Sequence, residues 1–98
     1  TLLSRLAHLY LGTGDELASI SCCHQLLKRD SCNEEAYRLL IEAHGRRGDR
    51  NAASRWYDLC ERELRRSLDV APSELTRAAR DLALRQAGGA PAALASAG

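Results

Sequence analysis

Three kinds of side chain in this sequence could do chemistry: thiols, imidazoles and ordered rows of charge. Cys22, Cys23 and His24 stand together, with Cys32 and Cys60 further on and His8 and His44 elsewhere. A cysteine nucleophile needs a base within hydrogen-bond reach and a third group to orient that base. No such trio is legible. Nor is there a C-x-x-C pair, the usual mark of a zinc site. Cys22 and Cys23 are adjacent, so on a helix they point in different directions. The pattern is that of free, mostly buried thiols in a reducing compartment. No catalytic residue, metal or cofactor is expected, and the chain reads as a non-enzyme.

The charged rows are more informative. Arg38, Glu42 and Arg46 recur every four residues, which on a helix sets them in one line. Such a line either clamps a partner segment of alternating charge or is a solvated ladder of ion pairs. A second group is basic: Arg46, Arg47, Arg50, Arg55, Arg62, Arg65 and Arg66, seven arginines against four carboxylates between 46 and 66. It could touch DNA phosphate. Asp49, Asp58, Glu61 and Glu63 are interspersed among them, however, which is the pattern of an ordinary solvated face. The whole chain has 98 residues and a formal net charge of +1, without the basic excess of a DNA reader.

The elements that must position these groups are helical. There is no Phe, only one Val, and no run that alternates with period two, so strands are not expected. Apolar spacing predicts helices near 2–12, 16–29, 33–46, 50–68 and 74–87. The second carries Leu17, Ile20, Cys23 and Leu27 on one side. The fourth lines up Ala53, Trp56, Tyr57, Cys60 and Leu64, and the fifth Leu75, Ala78, Ala79 and Leu82. Gly12 and Gly14 stop the first helix, and Asp15 and Asp49 cap the second and fourth. Ser31 with Glu34 reads as a capping box for the third. "DVAPS" breaks the pattern at Pro72, and Ser73 can cap the last helix. From Gly88 the Gly/Ala/Pro-rich residues 88–98 read as a flexible tail to a domain of residues 1–87. No apolar run approaches the roughly 20 residues that span a bilayer, and no basic-then-apolar leader is present. A cytoplasmic location is expected.

Gly14-Asp15 and Gly48-Asp49 lie 34 positions apart. Overlaid, Leu3 falls on Tyr37, Leu6 on Leu40, Ala7 on Ile41, Tyr10 on His44 and Cys23 on Tyr57. A 34-residue helix–turn–helix period is that of the tetratricopeptide repeat. The fold class expected is therefore all-α, about two tetratricopeptide-like hairpins plus a C-terminal capping helix. In such a repeat the first helix of each hairpin lines the concave face. That face would hold Ser4 and His8 from the first helix and Arg38, Glu42 and Arg46 from the third, as a groove for a partner. The first helix is apolar nearly all round, so either an upstream hairpin of a longer protein or a second copy is expected to cover it, with Leu2 and Leu9 as the candidate self-association face.

Residues 23–73 resemble a more specific family. Leu26, Leu27, Asp30, Glu34, Glu35, Ala36, Arg38 and Leu40 match a "LL..D…EEA.R.L" block. Gly48, Asp49, Ala53, Tyr57, Cys60, Leu64 and Leu68 match the helix that follows it. Leu68-Asp69-Val70-Ala71-Pro72-Ser73 matches an "LGV.PS" connector, with Asp69 where Gly is usual. These motifs resemble the bacterial transcriptional activator domain, the tetratricopeptide-like unit of SARP-type regulators. The resemblance implies a non-catalytic interaction and oligomerisation domain of a transcriptional regulator. Its partners would be RNA polymerase, another domain of the same regulator or a second copy, with nucleic acid read by a separate domain. Two alternatives stand beside it. One is a generic tetratricopeptide adaptor in a multidomain signalling protein, and the other is direct DNA binding through the Arg-rich fourth helix.

Overall fold

The structure, a computed structural model, describes the backbone of residues 1–97 and the side chains of residues 1–87. The tail expected at 88–98 lies outside the fully described residues. Five helices make up the described residues: α1 (Leu2–Gly12), α2 (Glu16–Arg29), α3 (Glu34–Arg46), α4 (Arg50–Leu68) and α5 (Glu74–Ala97).

The two Gly-Asp turns are one turn made twice. Gly14 and Gly48 take φ of +85° and +77°, a left-handed region that glycine enters without the Cβ penalty. Asp15 N donates to Tyr10 O at 2.8 Å, and Asp49 N to His44 O at 2.9 Å. Gly14 N donates to Leu11 O at 3.2 Å, and Gly48 N to Gly45 O at 3.1 Å. These paired bonds are those of a Schellman helix end. Each aspartate then starts the next helix, Asp15 accepting from Ala18 N and Asp49 from Ala52 N. The 34-residue repeat is therefore two hairpins, α1/α2 and α3/α4.

Helix α3 is the centre of the stack, packed on α1, α2, α4 and α5. Its Ala36, Leu39, Leu40 and Ala43 join Ala7, Leu11, Cys22, Cys23 and Leu26 in one buried cluster. On its other side Ile41 meets Ala53, Tyr57 and Ala83. Burying a side chain such as Leu40 or Ile41, both fully inaccessible, contributes about 1.5–3 kcal/mol. Close approach depends on small residues. A Cβ on Gly45 would lie 2.6 Å from Ala83 Cβ, so α5 crosses α3 almost backbone to backbone. The buried Ser19 hydroxyl donates to Ala7 O at 2.8 Å, so its polarity costs the core nothing unpaired.

Three local expectations are corrected, and the Asp69 connector position is accommodated. The inward stripe of α2 is Ser19, Cys22, Cys23 and Leu26, whereas Leu17 is exposed; the hairpin selects small side chains for its seam. Ser31 and Glu34 form no capping box. Asn33 caps α3, accepting from Ala36 N at 3.2 Å, and Asp30 turns back on Cys32 N at 3.0 Å. Asp69 takes the left-handed role of the usual Gly, with φ 55°, a conformation that Asp tolerates better than most residues. Finally, α5 seats itself by Thr76, Ala83 and Ala87. Leu75 and Leu82 are left exposed.

Candidate protein-interaction groove

That rotation of α5 builds a concavity that includes some of the expected groove residues. A cleft of about 280 Å³ lies between α1, α3 and α5. One wall is apolar: Leu75, Ala78, Ala79 and Leu82 from α5, with Leu39 at the floor. The other is charged: His8 from α1 and Glu35, Arg38 and Glu42 from α3. Successive turns of α3 put residues 35, 38 and 42 on one face by ordinary helical spacing.

The expected groove residues are brought near one another but not all into the cleft. His8, Arg38 and Glu42 line it. Ser4 does not, because its hydroxyl donates to Glu35 Oε1 at 2.5 Å. Arg46 sits at the end of the row, donating to Glu42 Oε2 at 2.7 Å and to Leu11 O at 2.8 Å. It thus ties the second hairpin to the end of α1. Arg38 turns away from Glu42, standing 3.8 Å from Glu34 Oε2 and donating to Thr76 Oγ1 at 3.3 Å. The alternating row is therefore two i,i+4 pairs, Glu34–Arg38 and Glu42–Arg46, rather than one continuous ladder.

Glu35 is the residue that sequence reasoning missed. Ser4 and His8, one turn apart on α1, both reach its carboxylate, His8 Nε2 at 3.0 Å. These two hydrogen bonds hold its pKa below the usual 4.5, against the desolvation that opposes ionisation. The apolar wall was visible as a stripe at positions 75, 78, 79 and 82. That it faces the cleft was not visible, since spacing shows a stripe without showing what it meets.

The remaining candidates fall into structural roles. Burial pushes the Cys23 and Cys60 thiols up to about 12, so neither is a thiolate nucleophile near neutral pH. His24 stacks on Trp56, ring centroids 5.4 Å apart. His44 is half-buried and burial lowers its pKa. No group of three or more His, Cys, Asp or Glu able to hold a metal ion occurs among the described residues. The basic cluster is dispersed. Arg50 donates to Leu84 O at 3.1 Å and Arg66 pairs with Glu63 at 2.8 Å. Arg62 and Arg65 share a shallow cleft with Asp58 and Glu61. Leu2 and Leu9 are 73% and 60% exposed.

A family model described as the bacterial transcriptional activator domain matches residues 1–95. The chain belongs to that family. The match extends well beyond the 23–73 segment that carries the motifs and takes in α1 and α2. Among curated proteins and among solved structures, nothing matches the chain. This bacterial transcriptional activator domain is helical, and none of its described helices is long and apolar enough to cross a membrane.

Proposed function

We propose that this bacterial transcriptional activator domain is a protein-interaction domain whose cleft receives an amphipathic helix from a partner. The partner is RNA polymerase or another domain of the same regulator, and DNA is read by a separate domain. The observation that carries the reading is the open α5 stripe. Leu75 and Leu82 are 69% and 46% exposed, although the same helix has buried positions on its other side. An apolar wall beside a charged wall matches the two faces of an amphipathic helix. Exposed leucines clustered in a concavity have a better explanation in binding than leucines scattered singly. Membership of a transcriptional activator domain family supports regulation by positioning as the reading.

The test is a pull-down from nuclease-treated bacterial lysate with the tagged domain, in wild-type form and as Leu75→Glu with Leu82→Glu. RNA polymerase subunits should be recovered by the wild type and lost by the variant. Equal recovery by both would remove the cleft from the mechanism. A second reading is favoured by the exposure of Leu2 and Leu9: the outer face of α1 pairs two copies of the domain.

A further inference from the structure

The apolar wall of the cleft belongs to α5, which packs on both α3 and α4. The fully buried positions of α5 among the described residues are Thr76, Ala83 and Ala87, while Arg80 lies 4.3 Å over the Tyr57 ring and Arg50 donates to Leu84 O at 3.1 Å. Where α5 crosses α3, Gly45 meets Ala83 with no side chain to interlock. Small residues bury little apolar area, so such a seam contributes little per residue. Beside the buried Pro72, a polar contact adds a fixing point where α5 begins.

Glu34 supplies that fixing point. Freed from the capping box by Asn33, its carboxylate crosses to the connector between α4 and α5. There Oε2 accepts from Ser73 N at 2.8 Å and from the Thr76 hydroxyl. Arg38 completes the knot, donating to Thr76 Oγ1 at 3.3 Å. Thr76 is fully buried, so its hydroxyl has these partners in place of water, and losing them leaves a buried polar group unpaired. Burial of Glu34 opposes its ionisation, but the bonds from Thr76 and Ser73 and the charge of Arg38 outweigh it and hold its pKa below the usual 4.5. Glu34 itself is not part of the cleft lining, whereas Leu75, next to Thr76 in the chain, is.

We propose that Glu34 is a positioning residue for the partner cleft: through Ser73 and Thr76 it latches the first turn of α5, and with it the apolar wall that begins at Leu75. Ala83 stays in the Ile41, Ala53 and Tyr57 cluster, so releasing the latch loosens the first turns of α5, and with them the start of the apolar wall, without altering any residue that lines the cleft. Regions held by few apolar contacts open first and independently. The inference rests on the reading of the cleft as a partner site.

The experiment is amide hydrogen exchange on the full chain for wild type, Glu34→Ala, Glu34→Gln and Thr76→Val. In Glu34→Ala and Thr76→Val, exchange at residues 75–84 should quicken about tenfold or more while residues 36–64 keep their protection. Glu34→Gln keeps the side-chain volume and an oxygen that can accept from Ser73 N but loses the charge, so it should restore only part of the lost protection. Thr76→Val keeps volume and loses the hydroxyl, so its loss of protection is one that a purely packing role would not produce. Unchanged exchange at 75–84, or loss of protection spread evenly over α1–α5, overturns the latch. Thr76→Val keeps the side-chain volume and so guards against a Glu34 variant that simply fails to fold. Exchange is measured with no partner present. A wild-type domain that recovers no RNA polymerase would remove polymerase as the occupant of the cleft, while the latch would still stand or fall on the exchange rates alone.

Discussion

The two ends of the helical stack are finished differently. On α3, Ala36 and Ala43 stand seven residues apart, both fully buried, and seat the helix on the hairpin before it. On α5, Thr76 and Ala83 do the same. Beyond them, α5 presents Arg77, Asp81 and Arg85 to solvent, the polar outer face that closes a repeat array. At the other end, the positions 34 residues before Ala36 and Ala43 are Leu2 and Leu9, large and exposed. Within residues 1–87 the outer face of α5 is polar, whereas the outer face of α1 exposes Leu2 and Leu9. These leucines are too large for the tight seat that Ala36 and Ala43 make, so a partner on this face would pack at a wider spacing. Arg5, exposed on the same helix, makes no ion pair among the described residues, so an acidic group opposite it would add complementarity.

The sharpest way to break this comparison is to give the covered seat the residue of the open one. Ala43→Leu forces a leucine into a site with no free surface and should cost about 1–3 kcal/mol or more, read as a lower urea midpoint with an unchanged slope. A midpoint within error of wild type would mean that small residues do not define the seat.

Acid should act next, and unevenly. Glu34 and Glu35 both have pKa values held below 4.5 in the folded state. Their contribution is fully present above the unfolded carboxylate range and is lost as pH falls through the depressed folded values. Glu35 joins α1 to α3, and Glu34 joins α3 to α5. Thermal melts from pH 6 downward should fall steeply below about pH 4.5, and Glu34→Gln should flatten part of that fall. A wild-type slope that survives both Glu34→Gln and Glu35→Gln would place the acid sensitivity elsewhere.

The smallest effect on stability is expected at the exposed ends themselves. Leu2→Glu with Leu9→Glu should shift the unfolding free energy by no more than about 0.5 kcal/mol. If α1 pairs two copies, the same change should convert a dimer to a monomer by sedimentation. A wild-type chain that sediments as a monomer at high concentration would remove self-pairing and leave a different protein as the occupant of that face.

The turns were legible in the sequence because their chemistry is local. Gly14-Asp15 and Gly48-Asp49 each need one left-handed residue and one cap, and glycine and aspartate supply them wherever the chain goes next. The 34-residue spacing then implied two hairpins and an all-α stack. The Leu68–Ser73 connector carried the family resemblance that the match over residues 1–95 bears out. That His8, Arg38 and Glu42 share one cleft follows from the same spacing, because a repeat fixes which helices line its concave face.

What tertiary structure alone decided is which way each helix turned within the stack. Apolar spacing on α5 offered Leu75 and Leu82, yet the chain buried Thr76 and Ala83, since only a small side chain fits where α3 brings Gly45 against Ala83 and Thr76 meets Glu34 and Arg38. The same preference turned Ser19 inward on α2 and Leu17 outward. Glu34 looked like a local cap and became a long-range latch, because Asn33 took the cap and the connector came within reach. A sequence fixes a helix's apolar stripe by composition, but the stripe that is buried is set by how closely the neighbouring backbones approach, and that distance exists only once the helices are packed.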